Sequence, residues 1–224
     1  AFAGCSSLKA ITIPSNVTEI PERAFSGCSS LETISFAEGT ALQTIGAYAF
    51  RGAAIRELTL PESLTVIDYQ AFAECKQLQS LHLRGNNPRI GQYVFQNCTS
   101  LEKVIIENCG LYANVFEGCN AITSIEFYNP RTCKIADLPS LSSVVVSGTA
   151  SSTGSFQNCS ALTSVAIQAP ITSVSERAFY NCPALTSITL PETVQKIYNY
   201  AFVGSGITKI TIPASVTILG DTVF

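Results

Sequence analysis

Phenylalanine recurs through this sequence at Phe2, Phe25, Phe50, Phe72, Phe95, Phe116, Phe156, Phe179, Phe202 and Phe224, usually behind an alanine. Successive gaps are 23, 25, 22, 23, 21, 40, 23, 23 and 22 residues. A chain with such a period has little choice of fold. Each unit is too short to bury an apolar face alone, so units must stack and share one continuous core. The gap of 40 holds one shortened unit, with Leu138 expected in the phenylalanine role, which makes ten units of about 22 residues.

Order within a unit is equally regular. One unit reads Phe179, Cys182, Leu185, Ile188, Leu190, Pro191, Val194, Ile197 and then Phe202. Leu185-x-x-Ile188-x-Leu190 alternates at period two, which predicts a strand. Pro191 ends it, because proline cannot donate to a sheet ladder. Val194-x-x-Ile197 is a second short apolar element. Tyr198 to Phe202 then form a tight turn or a single helical turn. Stacking puts Ile34 between Ile11 and Leu58, with the phenylalanines in a file beside them. At ~4.8 Å per coil, ten coils build a sheet roughly 45–50 Å long.

The string Ala24-Phe25-Ser26-Gly27-Cys28-Ser29-Ser30-Leu31 resembles the BspA-type leucine-rich repeat, as does Ile188-Thr189-Leu190-Pro191-Glu192-Thr193-Val194. The resemblance spans the chain, with its best copies over residues 1–83 and 156–224. It implies an α/β repeat: one right-handed leucine-rich-repeat solenoid over residues 1–224. A concave parallel β-sheet would lie on one side, with second short strands and single helical turns on the return side. Proteins resembling this are typically secreted or surface-attached, in host-associated bacteria and some parasitic protozoa, and are regarded as adhesion proteins. The family offers no catalytic residues to carry over. The chain holds no methionine, and both ends fall at one point of the repeat, so a piece of a longer array is expected.

The middle units depart from the pattern. The second apolar element needs an aliphatic residue eight positions before the phenylalanine, as Val17, Leu42, Leu64, Ile171, Val194 and Val216 supply. In the middle that position is Asn87, Asn108 and Gly148, with Thr132 the expected equivalent in the shortened unit. The strand-ending proline is also missing there. The outer side is therefore expected to be irregular from about residue 84 to 155.

The nine cysteines argue against a disulfide framework. Cys5, Cys28, Cys75, Cys98, Cys119, Cys159 and Cys182 each lie three residues after a phenylalanine, so they share one slot in different coils. Parallel side chains ~4.8 Å apart do not meet the ~3.8 Å Cβ separation and converging geometry of a disulfide. They are expected to be buried free thiols filling small gaps. Ala53 and Ser205 occupy the same slot, as a plug would allow. Cys109 and Cys133 fall outside the file and are the one pair to check for a bond.

Catalytic chemistry finds little to work with. His82 is the sole histidine, in Leu81-His82-Leu83, where alternation turns it to solvent with no nucleophile beside it. Zinc sites need close Cys/His pairs, and none occurs. No phosphate-cradling glycine loop of the Walker type occurs either. Glu107 and Glu126 lie on adjacent expected strands, but a shallow face offers nothing to raise one of their pKa values as glycoside hydrolysis would need. No enzyme, metal or cofactor is expected. Net charge is -3 with no basic stripe, which argues against nucleic acid. No apolar run approaches the ~18 residues that would span a bilayer. Asn16-Val17-Thr18, Asn97-Cys98-Thr99 and Asn158-Cys159-Ser160 match the N-glycosylation sequon, of consequence only in a eukaryotic source.

A partner would meet the outward residues of the sheet. Charged residues are only 13% of the chain, about half the usual ~25%. Over the regular units the outward positions are small: Ala10, Thr12, Thr33, Ser35, Thr59, Ser164, Ala166, Ser187, Thr189 and Thr211. The middle units instead present His82, Arg84, Lys103, Ile105, Glu107, Glu126, Tyr128 and Val145. Tyrosine and arginine are favoured binding anchors. These eight residues are the candidate partner-binding surface. The reading is an extracellular or cell-surface binding or adhesion module, monomeric, for a protein or glycan ligand, host-derived ligands included. The alternative is a passive spacer that displays another domain.

Overall fold

The computed structural model describes residues 2–112 and 114–224. It is a parallel-strand solenoid of about ten coils. The first strand of most coils builds the main sheet. β1 (Ala10–Ile13) pairs with β3 (Thr33–Phe36). A six-stranded parallel sheet then runs in the order β14-β12-β10-β9-β7-β5. Its members are β5 (Glu57–Thr59), β7 (Ser80–Arg84), β9 (Lys103–Glu107), β10 (Ser124–Tyr128), β12 (Ser143–Ser147) and β14 (Ser164–Ile167). Every pairing joins residues at the same repeat position, as in Leu58↔Leu81, Leu81↔Val104 and Val104↔Ile125.

The second apolar element forms its own ladder. β2 (Glu19–Ile20), β4 (Thr44–Ile45), β6 (Val66–Ile67) and β8 (Arg89–Ile90) pair in sequence. β15 (Ser173–Val174), β16 (Lys196–Ile197) and β17 (Ile218–Leu219) resume it near the end. Between these blocks it dwindles to two isolated bridges, Leu111↔Cys133 and Ser152↔Ser173, and to β11 (Lys134–Ala136) against β13 (Ser155–Gln157). The expected irregularity is therefore real, but it begins after Ile90 and not at residue 84.

The phenylalanines stack as a column. Neighbouring rings from Phe2 to Phe116 have centroids 5.0–5.6 Å apart and nearly parallel planes. The column resumes from Phe156 to Phe224 at 5.5–6.0 Å. In the gap the expected anchor was wrong. Ile135, not Leu138, pairs with Phe156. Leu138 occupies the cysteine slot: Leu141 N–H donates to its carbonyl, as Leu162 N–H does to Cys159. Ile135 is too small to continue the ring stack, and Phe127 of β10 meets Phe156 edge-on at 6.0 Å instead.

Among the described residues there is no helix, so the single helical turns expected on the return side are absent. The cause lies in the backbone. Arg23, Tyr48, Gln70, Tyr93, Arg177 and Tyr200, each two before a phenylalanine, have φ between 51° and 59°. A left-handed residue there stops a right-handed helix. The donors also go elsewhere. Phe25 N–H reaches Ala49 O at 2.7 Å and Phe50 N–H reaches Ala71 O at 2.7 Å, one coil on. The turns thus make a third inter-coil ladder.

The cysteine file is as expected, with one refinement. All nine thiols are free, and all but Cys5 are buried. They are not mere apolar plugs. Cys28 Sγ donates to Phe2 O at 3.1 Å, Cys119 to Phe95 O at 2.9 Å and Cys182 to Phe156 O at 3.1 Å. Each of these three thiols bonds to the carbonyl of the anchor one coil back. Cys109 and Cys133 are not bonded to each other.

Two expected contacts fail. β3 and β5 do not pair, so Ile34 rests on Ile11 but not under Leu58. Nor do residues 186–190 and 208–212 form ladder strands, although Leu185 and Leu190 stay buried. The core is most closed in the middle. Leu58, Leu81, Val104, Ile125 and Val144 are at most 2% exposed, whereas Ile11, Ile34, Val165, Ile188 and Ile210 are half-buried.

Candidate functional site

The middle coils owe their distinct surface to the way their strands end. Where Pro14 or Pro61 follows the third apolar residue, the strand stops at or before it. β7, β9, β10 and β12 carry Arg84, Glu107, Tyr128 and Ser147 at that position and reach five residues. A residue with an N–H lets the ladder run one step further, and alternation turns its side chain outward.

Three outward rows result. His82, Ile105, Glu126 and Val145 stand side by side on successive strands. Arg84, Glu107, Tyr128 and Ser147 form the added row. Lys103 lies in a third row between Ser80 and Ser124. All eight sequence-predicted residues therefore occupy one face of four adjacent strands. Glu107 and Glu126 lie in different rows.

The charges sort into tied and free groups. Arg84 pairs with Glu62, and its Nε lies 3.3 Å from Glu107 Oε2. Glu107 Oε1 is 3.2 Å from His82 Nε2, a buried nitrogen that makes no aligned hydrogen bond. These half-buried pairs orient side chains more than they stabilise, at about 0–1 kcal/mol each. Lys103 and Glu126 are exposed and have no ion pair among the described residues. Next to Glu126 sit the two exposed apolar groups, Ile105 across the ladder at 37% and Tyr128 two residues along the strand at 50%. Val145 is half-buried. The face thus offers an aromatic ring with a phenol tip, an aliphatic neighbour, one free cation and one free carboxylate. That set suits contact with another surface. Among the described residues no three His, Cys, Asp or Glu side chains come together as a metal site.

An asparagine ladder beside this face escaped the sequence reading. Asn108, Asn129 and Gly148 follow the last residue of β9, β10 and β12, with φ of 57°, 50° and 70°. Asn129 Nδ2 donates to Asn108 Oδ1 at 3.0 Å, and Asn129 Oδ1 accepts from Thr149 N–H at 2.7 Å. A Cβ at Gly148 would lie 2.2 Å from Asn129 Oδ1, so a side chain there would push the Asn129 amide out of the ladder. The coil-to-coil partner of Asn108 is thus Asn129, not Thr132. The signal was available: Asn or Gly one residue beyond a lengthened strand, at a left-handed terminus.

No curated protein sequence matches the chain. Solved structures do. A leucine-rich repeat protein from Bacteroides ovatus is 24% identical, with a TM-score of 0.52 over 98% of this chain and 76% of that one. One from Eubacterium ventriosum is 19% identical, TM-score 0.51, over 94% and 80%. A T. pallidum leucine rich repeat protein is 23% identical, TM-score 0.53, over 80% and 78%. At these identities the likeness is one of fold. Leucine-rich-repeat scaffolds are typically non-enzymatic. The sequence profile of the BspA type leucine rich repeat region matches in six copies, over residues 1–123 and 140–224. Its one interruption holds the shortened unit with Ile135 in the phenylalanine position. The chain belongs to the BspA-type leucine-rich repeat family.

Proposed function

We propose that this chain is an extracellular or cell-surface binding module that meets a protein or glycan through the outward face of β7, β9, β10 and β12. The carrying observation is the added row, in which loss of the strand-ending proline exposes Tyr128 beside Ile105. Extended repeat surfaces are used in this way by solenoids generally. Placement outside the cell rests on family membership. Among the described residues no helix is long and apolar enough to cross a membrane.

The experiment is a glycan and matrix-protein array probed with the whole chain, followed by Tyr128→Ala and Arg84→Ala on any hit. Affinity should fall more than about tenfold for the tyrosine, the cost of losing a buried aromatic anchor. Unchanged affinity in both variants removes this face. The competing reading, a passive spacer, draws on the small hydroxylated residues outside the middle coils, such as Thr12, Thr33 and Thr211. It predicts no specific hit on either array.

A further inference from the structure

The sheet is split between β3 and β5, and the split has the chemistry of a missing strand. The coil containing β3 is the longest regular unit, 25 residues from Phe25 to Phe50. Its extra residues dock backward: Ala37 N–H donates to Ile13 O at 3.0 Å and Ala41 N–H to Ser15 O at 2.9 Å. This holds β3 to the first coil. On the outer side β4 and β6 still pair, so the two coils open only along the main sheet. One long contact remains at the mouth, Arg56 N–H to Glu32 O at 3.4 Å. Beyond it lies a cleft of about 940 Å³ lined by both strands, within the ~300–1,000 Å³ of ligand-holding clefts.

The backbone edges facing this cleft belong to no ladder with each other. Thr33 N–H donates to Lys9 O, which points it at β1; its neighbours Ile34 and Phe36 therefore point the other way. Leu60 N–H donates to His82 O, which points it at β7; Thr59 and Glu57 therefore face β3. No ladder joins these two edges beyond the contact at the mouth. Two parallel-strand edges looking at each other across a gap are complementary to an extended polypeptide.

Side chains narrow the choice. Ile34 and Phe36 are half-buried, so the guest strand should carry apolar residues at alternate positions to finish covering them. At the outward positions Arg56 pairs with Glu32 and Arg84 with Glu62. Glu57 has no ion-pair partner among the described residues. The structure assigns this cleft to an extended peptide that adds a strand between β3 and β5, with alternating aliphatic residues and a basic residue beside Glu57. This goes beyond the binding face proposed above and does not use Tyr128.

A direct probe is the acetylated, fluorescent peptide Gly-Ile-Thr-Lys-Ile-Thr-Ile-Pro, which copies residues 206–213 of this chain. Its lysine precedes the second apolar residue, as Glu57 precedes Leu58. Polarisation should report saturable binding to the whole chain below about 1 mM. Thr59→Pro deletes an N–H facing the cleft without touching a β5–β7 bond, and should weaken binding at least about tenfold. Glu57→Lys should weaken it too, and a peptide with glutamate in place of lysine should restore it. Tyr128→Ala should change nothing. Hydrogen exchange supplies the second readout: amides of Ile34, Phe36, Glu57 and Thr59 exchange fast in the free chain and slow with peptide. Protection of these amides in the free chain, no saturable binding, or binding indifferent to Thr59→Pro and Glu57→Lys in correctly folded variants would each overturn the assignment.

Discussion

Raising the pH from about 8 to about 10 should destabilise this protein, and a large part of the loss should come from its buried thiols. Burial pushes Cys182 from the ordinary 9.0 to about 11, and Cys109 and Cys159 to about 12. Each is at most 1% exposed. A thiol with a raised pKa stays protonated in the fold while the unfolded chain ionises. Its contribution is therefore intact below about pH 9 and declines as the pH climbs toward the folded value. One unit above the unfolded pKa costs about 1.4 kcal/mol per thiol. Three thiols give about 4 kcal/mol at pH 10 for an array that unfolds as one unit, against a typical total of about 5–15. Urea unfolding followed by circular dichroism, under reductant, measures it. The control is Cys159→Ala/Cys182→Ala. All other groups are common to both proteins and cancel in the difference. The lost Cys182 bond to Phe156 O is a cost present at both pH values. The double variant should lose about 3 kcal/mol less than the parent between the two pH values. Equal losses would mean that these thiols are not shielded, and the reasoning about the file would fail.

Thiol titration without reductant should find one fast group, Cys5, in the native chain and nine in denaturant; a total of seven would mean that a disulfide forms. Phe95→Ala removes a fully buried ring stacked at 5.5 Å and 5.6 Å on its neighbours and should cost about 3–5 kcal/mol in urea unfolding. A loss under about 1 kcal/mol would deny the column a structural role. Gly154→Ala meets both a φ of +77° and a Cβ only 2.7 Å from Cys133 Cβ. It should destabilise by at least about 2 kcal/mol more than Gly39→Ala, which has a similar φ but open space around it; equal costs would show that the two coils are not packed this closely.

What the sequence revealed followed from its period. Phe25, Phe50 and Phe72 share one slot, so their column needed no structural information beyond the repeat itself. The same reasoning put Cys98 beside Cys75 and Cys119. It failed where a unit is not the standard length. In the shortened coil two alignments compete, and Leu138 looked more like a phenylalanine than Ile135 did. The structure decides by backbone register, since Ile135 and not Leu138 faces Phe156. The helical turn was misread for a related reason. Tyr198 to Phe202 has residues that tolerate a helix, but its donors are claimed by the next coil, and no property of the segment alone reveals that. The split between β3 and β5 was equally silent: Ile34 and Leu58 fit the strand pattern, and only the longer connection after Phe36 hints that the coils part.

The candidate face rests on a choice among strand terminators. Proline ends a strand by withholding a donor, and it does so without lengthening the strand. Asparagine and glycine end one by turning left-handed after the last ladder bond. The second device admits one more residue, so Glu107, Tyr128 and Ser147 gain outward positions that Pro14 and Pro61 deny to other coils. It also needs the strands closely aligned, because Asn129 must reach both Asn108 and Thr149. The inward residues of these strands, Val104, Ile125 and Val144, are almost completely buried. A varied outer face and a tight inner face are here one adaptation. The outer ladder lost its regular pairing over the same stretch, so the main sheet, the anchor turns and the asparagine ladder carry the coil-to-coil register there. Substitutions in the asparagine ladder should therefore disturb the candidate face before they disturb either end of the array.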